Sequence, residues 1–189
     1  MRSDISDEYR ARTMTLEAFA DTIVPGEKRS PDDRAVAGVS AGGGAVAAGA
    51  IELLETPATG ISAALDDYAE ALNRNAREYA EGRGLPLDDA VPPFVALPFE
   101  DRTALVQELT SPRHREKELW VLLALFSNMA FDTAAHLHTT DAIAAGHPGL
   151  AAMGFLGPGE DGLWRFPDFS YGRPLAEPHP DTTASGSPA

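Results

Sequence analysis

At 189 residues with a formal net charge of -14 and no cysteine, the chain is long enough for one sizeable core and too short for two comfortable domains. The acidic balance repels duplex nucleic acid and anionic lipid surfaces at long range. The missing thiols exclude disulfide frameworks, thiolate zinc, cysteine-ligated iron–sulfur clusters and covalent c-type haem.

The basic residues Arg74, Arg77 and Arg83 are interleaved with Glu70, Glu78 and Glu81 rather than gathered into a patch, so no nucleic-acid partner is expected. The stretch up to Gly26 has neither an apolar run of signal-peptide length nor a twin-arginine pair. The apolar run from Leu119 to Phe126 is far below the roughly 18 to 20 residues that span a bilayer. The expectation is a cytoplasmic protein without membrane insertion.

Residues 1–14 read as a flexible N-terminus. Thr15 can cap a short helix from Leu16 to Val24, with Leu16, Phe19, Ala20 and Ile23 as its apolar face and Pro25-Gly26 as its stop. Glu27 to Gly44 follows as a long loop ending in Gly42-Gly43-Gly44. That run is either a flexible connector or, because a helix follows, a place for a phosphate on free N–H groups; the strand and the Gly-Lys-Ser/Thr ending of a P-loop are missing. Ala45 to Glu55 reads as a small-residue helix closing at Thr56-Pro57.

From Ile61 to Glu81, Ile61, Leu65, Tyr68, Leu72 and Tyr79 recur at steps of three and four with a gap at Asn75-Ala76, the pattern of an amphipathic helix. Gly82 and Gly84 stop it. A proline-punctuated connector to Pro98 carries Phe94, Val95 and Leu97, and a short helix from Glu100 to Leu109 turns Leu105, Val106 and Leu109 inward before Ser111-Pro112 breaks it. Connectors as long as Glu27–Gly44 and Gly82–Pro98 are expected to be functional or to wrap a partner.

The central helix is predicted from His114 to Leu137 as the most buried element, with Leu122, Leu123, Phe126 and Ala130 around its circumference. Its last turns bring Asn128, Asp132 and His136 onto one face, because residues four apart superpose on a helix. A buried polar stripe needs partners. Either Asp132 and His136 satisfy each other, or the three act as an acid–base or binding set. With only the loop residue His138 to add, they fall short of a closed metal site, and no metal is expected.

A capped turn near Thr139 or Thr140 runs through Ala145, and Gly146-His147-Pro148-Gly149 opens a last short helix through Met153. Beyond Gly154 the chain turns rich in Gly, Pro and aromatics. Phe155, Trp164, Phe166, Phe169 and Tyr171 sit where no regular element can bury them, so they need a surface, of this chain or of a partner. No period-2 apolar run of useful length occurs, which predicts an all-α fold: one irregular helical bundle over residues 15–175 with long loops and an extended aromatic C-terminal segment, then a disordered tail over 176–189.

The order of the motifs carries a resemblance. Thr22-Ile23-Val24-Pro25 ends the first helix, Ala37-Gly38 precedes a small-residue helix reaching Ile51, and His147-Pro148-Gly149 leads to Gly157-Pro158. With LPFEDRTALV, ELWVLLALFSNMAFD and LWRFPDFSYGRPL, the stretch from Thr15 to Leu175 resembles the gluconate 2-dehydrogenase subunit 3-like small subunits, in particular an actinobacterial branch that sits beside secondary-metabolite oxidoreductases. The resemblance implies a non-catalytic accessory subunit of a large FAD-dependent oxidoreductase of the glucose–methanol–choline type. The FAD and the catalytic base would be on the partner, and no cofactor on this chain. Trp164, Phe166, Phe169 and Tyr171 would be the partner anchors, with Arg165 and Arg173 as charge contacts. The alternative is a stand-alone small helical enzyme or binding protein that acts on a hydrophobic metabolite through Asn128, Asp132 and His136, with Tyr171 or Arg173 as further candidates.

Overall fold

The structure is a computed structural model that describes residues 2–155 together with Gly157, Gly159, Glu160 and Gly162. The chain divides into a unit Met1–Phe155 and a unit Leu156–Ala189; the elements below belong to the first. The proposed anchors Trp164, Arg165, Phe166, Phe169, Tyr171 and Arg173, and the 176–189 tail, lie outside the described residues.

The fold is all-α. In chain order the helices are α1 (Arg2–Ile23), α2 (Ala50–Glu55), α3 (Leu65–Arg83), α4 (Pro93–Ala96), α5 (Phe99–Leu109), α6 (Lys117–Asp132), α7 (Thr139–Ala144) and α8 (Pro148–Ala152), with 3-10 turns at Pro57–Thr59 and Ser62–Ala64. No strand occurs among the described residues.

The first helix starts well before Thr15, which lies mid-helix and donates its hydroxyl to the Ala11 carbonyl at 2.9 Å instead of capping. Tertiary contacts hold the extension: Arg12 pairs with Glu55 and Asp66 and lies over the Tyr9 ring. Such long-range pairing has no periodic signature in a polar stretch.

The α3 periodicity holds, with Leu65, Tyr68, Ala69, Leu72, Ala76 and Tyr79 buried and the left-handed Gly84 as its C-cap. Ala76 fills the apparent gap in the pattern. Asn73 then ties three elements together, donating to the Thr15 hydroxyl at 3.1 Å and accepting the Phe94 N–H at 3.1 Å. The main core collects Leu16 and Phe19 of α1, the inward face of α3, Phe94 and Val95 of α4, Leu105 and Leu109 of α5, and Trp120 and Leu123 of α6. Phe19 lies 6.3 Å from Phe94 and 6.5 Å from Trp120, while Tyr68 meets Trp120 edge-on at 6.3 Å between centroids.

The loop Glu27–Gly44 is packed onto its own chain. Asp21 of α1 accepts N–H bonds from Gly26 (3.1 Å) and Ala37 (2.8 Å), and Asp33 accepts from Ala35, Val36 and the Arg29 guanidinium. Arg102 of α5 donates to the carbonyls of Ala35 (2.7 Å), Arg34 (3.1 Å), Val95 (2.7 Å) and Leu97 (3.0 Å). One guanidinium thus closes both long connectors over the core.

Two expectations for α6 are corrected. It begins at Lys117 and ends at Asp132, short of the predicted His114–Leu137 span. Nor is it buried all round: Trp120, Leu123, Ser127 and Ala130 face inward, Leu122 and Phe126 are half-buried, and Leu119, Val121 and Leu125 are 44 to 50% exposed. The apolar run is longer than the face its neighbours cover.

Candidate functional site

The predicted Asn128, Asp132, His136 stripe survives only in its first two members. Asn128 donates to Asp132 Oδ2 at 2.7 Å, the i to i+4 contact that the helix supplies. Asp132 ends α6, Thr133 closes the last turn onto Met129, and buried Ala134 takes a left-handed φ of 49°. Asp and Thr are weak helix formers, and an Ala in the left-handed region turns the chain away. His136 therefore leaves the helix axis, and the Asp132–His136 bond expected as its simplest role does not form: Asp132 is paired with Asn128.

His136 packs against α2 instead. Gly49, the N-cap of α2 with φ 86°, leaves no room for a side chain, since a Cβ there would sit 2.3 Å from His136 Nε2. The His147 ring lies 6.5 Å away between centroids. His147 was missed as part of this cluster. It caps α8, its Nδ1 accepting the Leu150 N–H at 3.3 Å, so its Nε2 carries the proton toward the Ala48 carbonyl at 3.0 Å. A histidine just before Pro148 at a helix start was the available signal; the reach to Ala48, ninety-nine residues back in the chain, was not.

Among the described residues, Asp132 Oδ1 and His136 Nδ1 are two of the five buried side-chain polar atoms without a hydrogen-bond partner. Asp132 Oδ1 at the end of α6 and, separately, His136 Nδ1 beside the start of α2 are groups able to receive a donor or carry a proton. His138 is engaged separately, 2.8 Å from the Thr140 hydroxyl. Among the described residues no three of His, Asp and Glu converge as a metal-ion cluster. The largest cavity described, about 580 Å³, is lined by residues of α1, the 29–35 loop and Ala90–Pro92, and none of the cluster belongs to it.

The match to a family model runs over residues 10–189, nearly the whole chain. The chain belongs to the DUF5987 family, a family of unknown function. A search of curated proteins and a search of solved structures each return no match. Family membership fixes no reaction for the cluster, so its chemistry rests on the geometry above. No helix among the described residues is long and apolar enough to cross a membrane.

Burial pushes the His136 imidazole below its usual range, with His147 acting in the same direction and Glu52 against it. A histidine near 6.5 when unfolded and lower when folded favours the unfolded state on protonation. Its contribution to stability is complete above about pH 6.5 and is lost as pH falls toward the folded value. His136→Gln is expected to flatten that part of the profile. Urea midpoints of wild type and variant between pH 5 and about pH 8, taken as a difference, check it; parallel profiles would show that His136 does not titrate against burial.

Proposed function

We propose that the chain is a non-catalytic accessory subunit that binds and stabilises a large FAD-dependent oxidoreductase of the glucose–methanol–choline type in the cytoplasm, in secondary-metabolite tailoring. The observation that carries a partner-binding role is the outward face of α6. Val121 and Leu125 are exposed, Leu122 and Met129 beside them are half-buried, and the Asn128–Asp132 pair continues the same strip toward the helix end. Aliphatic side chains in a row with a polar border are the make-up of an interface core and rim. The flavoprotein identity of the partner rests on the resemblance to gluconate 2-dehydrogenase small subunits, carried by Thr22–Pro25, the Ala37-to-Ile51 stretch and the His147-to-Pro158 stretch.

The test is affinity capture of full-length protein from the native cell, wild type beside Val121→Asp/Leu125→Asp. Wild type is expected to bring down a large chain with bound flavin, visible as yellow colour. The variant, whose helical circular dichroism stays native because both positions are exposed, is expected to lose it by about tenfold or more. A capture without flavin, or equal recovery by the variant, overturns the reading.

A second reading has its own observation in the unpartnered Asp132 Oδ1 and His136 Nδ1: a small helical enzyme or binding protein acting on a hydrophobic metabolite. Turnover by the isolated chain, abolished in Asp132→Asn, would move the assignment there.

A further inference from the structure

The stretch that follows α6, residues 134–155, is joined only thinly to the elements before it. Its buried residues Ala134, Ala142 and Leu150, with Ile143 beside them, form a small apolar cluster separate from the main core. Among the described residues one hydrogen bond ties the stretch to what precedes it, His147 Nε2 to the Ala48 carbonyl at 3.0 Å. Its close approaches are to backbone and glycine: Gly149 against the Phe131 carbonyl, Pro148 against Gly43, and the His136 imidazole against Gly49. At its base Ala134 takes φ 49°, a left-handed conformation that is costly for alanine and relaxes once the surrounding contacts release it. Segments with so few buried apolar contacts are the ones that open locally while the rest of a protein stays folded.

We propose that residues 134–155 form an acid-operated flap: when His136 takes up a proton, the stretch swings off α2 about the Thr133–Ala134 turn while the main core stays folded, uncovering the Ala48 carbonyl and the Phe131 end of α6. The reason lies in what the His136 ring meets. A neutral imidazole can leave Nδ1 bare, whereas the protonated ring must carry an N–H there. That atom is buried with no hydrogen-bond partner, so its proton stands unpaired in the closed form and reaches water only in the open one. The His147 ring faces it from the start of α8 at 6.5 Å between centroids and opposes a second charge, while the exposed Glu52 of α2 favours one. Burial and His147 outweigh Glu52 and hold His136 below its ordinary value in the closed form. The closed form is therefore at full strength above about pH 6.5 and weakens as pH falls toward the lower value.

Amide hydrogen exchange of the full-length chain, read by mass spectrometry at about pH 7.5 and about pH 5.5 and corrected for intrinsic rates, tests this. A single histidine that is ordinary in the open form and neutral in the closed one raises the opening constant by up to about tenfold between these conditions. Peptides from 134–155 are expected to lose protection by several-fold up to that limit, while those from α3 and α5 keep theirs. In His136→Gln the acid response of 134–155 is expected to shrink below about twofold. Gly49→Ala, whose Cβ would sit 2.3 Å from His136 Nε2, is expected to displace the ring and open the stretch at the higher pH already. Unchanged protection of 134–155 in acid overturns the proposal, as does a loss shared equally by α3 and α5, which is global unfolding. An acid response in His136→Gln equal to that of wild type overturns it too. The comparison of regions within wild type needs no variant to fold.

Discussion

Replacing Arg102 by methionine is expected to lower the unfolding free energy by about 3 to 5 kcal/mol, the range for leaving a buried charged network without its partner. Arg102 is 5% exposed and donates to four backbone carbonyls from two separate connectors. Methionine matches much of its length but none of its donors, so four carbonyl oxygens lose a charge-assisted bond while remaining under the loop. Lysine carries the charge without the planar fork and is expected to recover less than half of the loss. The exposed Arg83–Glu108 pair supplies the contrast: Arg83→Gln should change stability by less than about 1 kcal/mol. Urea denaturation followed by helical circular dichroism measures all three, and a wild-type midpoint in Arg102→Met would refute the assignment.

The same variant should show a characteristic pH dependence. Burial raises the Asp21 carboxyl above its ordinary value, while the N–H bonds from Ala37 and Gly26 and the charge of Arg102 pull it back. Without Arg102 the folded value rises further. A carboxyl raised in the folded state contributes stability below its unfolded value and loses it as pH rises through the folded one. The gap between wild type and Arg102→Met should therefore widen as pH rises through the wild-type folded value toward the variant's higher one.

Parts of this architecture were legible because they are local. The helices α3 and α5 and the all-α class follow from apolar spacing and from stop signals such as Gly84 and Ser111-Pro112, and the Asn128–Asp132 contact follows from helical geometry. What escaped depends on residues far apart in the chain. Arg12 holds the start of α1 through Glu55 and Asp66, and Arg102 reaches Ala35 across sixty-seven positions. The candidate site divides in the same way. His136 was assigned to the Asp132 face because the helical period was continued past Thr133; Ala134 breaks that period, and Gly49 and His147 then receive the ring. The outward face of α6 was also hidden, since an unbroken apolar run does not reveal which side its neighbours leave uncovered.

Gly44→Ala is expected to cost at least about 3 kcal/mol, and it separates the two sequence readings of the Gly42-Gly43-Gly44 run from the one that the fold supports. A Cβ at Gly44 would lie 2.4 Å from the Val24 carbonyl oxygen, 2.5 Å from the Pro25 carbonyl carbon and 2.6 Å from the Gly26 nitrogen. All three are backbone atoms and cannot rotate aside. Bonds on either side lock the crossing, Glu27 N–H to the Gly42 carbonyl at 2.8 Å and Ala45 N–H to the Val24 carbonyl at 2.9 Å. Overpacking of this kind typically costs about 1 to 3 kcal/mol where side chains can yield, and more is expected where only backbone can. Gly42 meets nothing within 4 Å but has φ 78°, so Gly42→Ala should cost only the left-handed strain of about 1 to 2 kcal/mol. Gly82, near the end of α3, also faces open space and its φ is not positive, so Gly82→Ala should gain about 0.5 to 1 kcal/mol from helix propensity. Thermal or urea midpoints should rank Gly82→Ala above wild type, Gly42→Ala below it and Gly44→Ala lowest. A flexible connector would tolerate alanine equally at 42 and 44, and that outcome would remove the backbone crossing as the reason for the glycines.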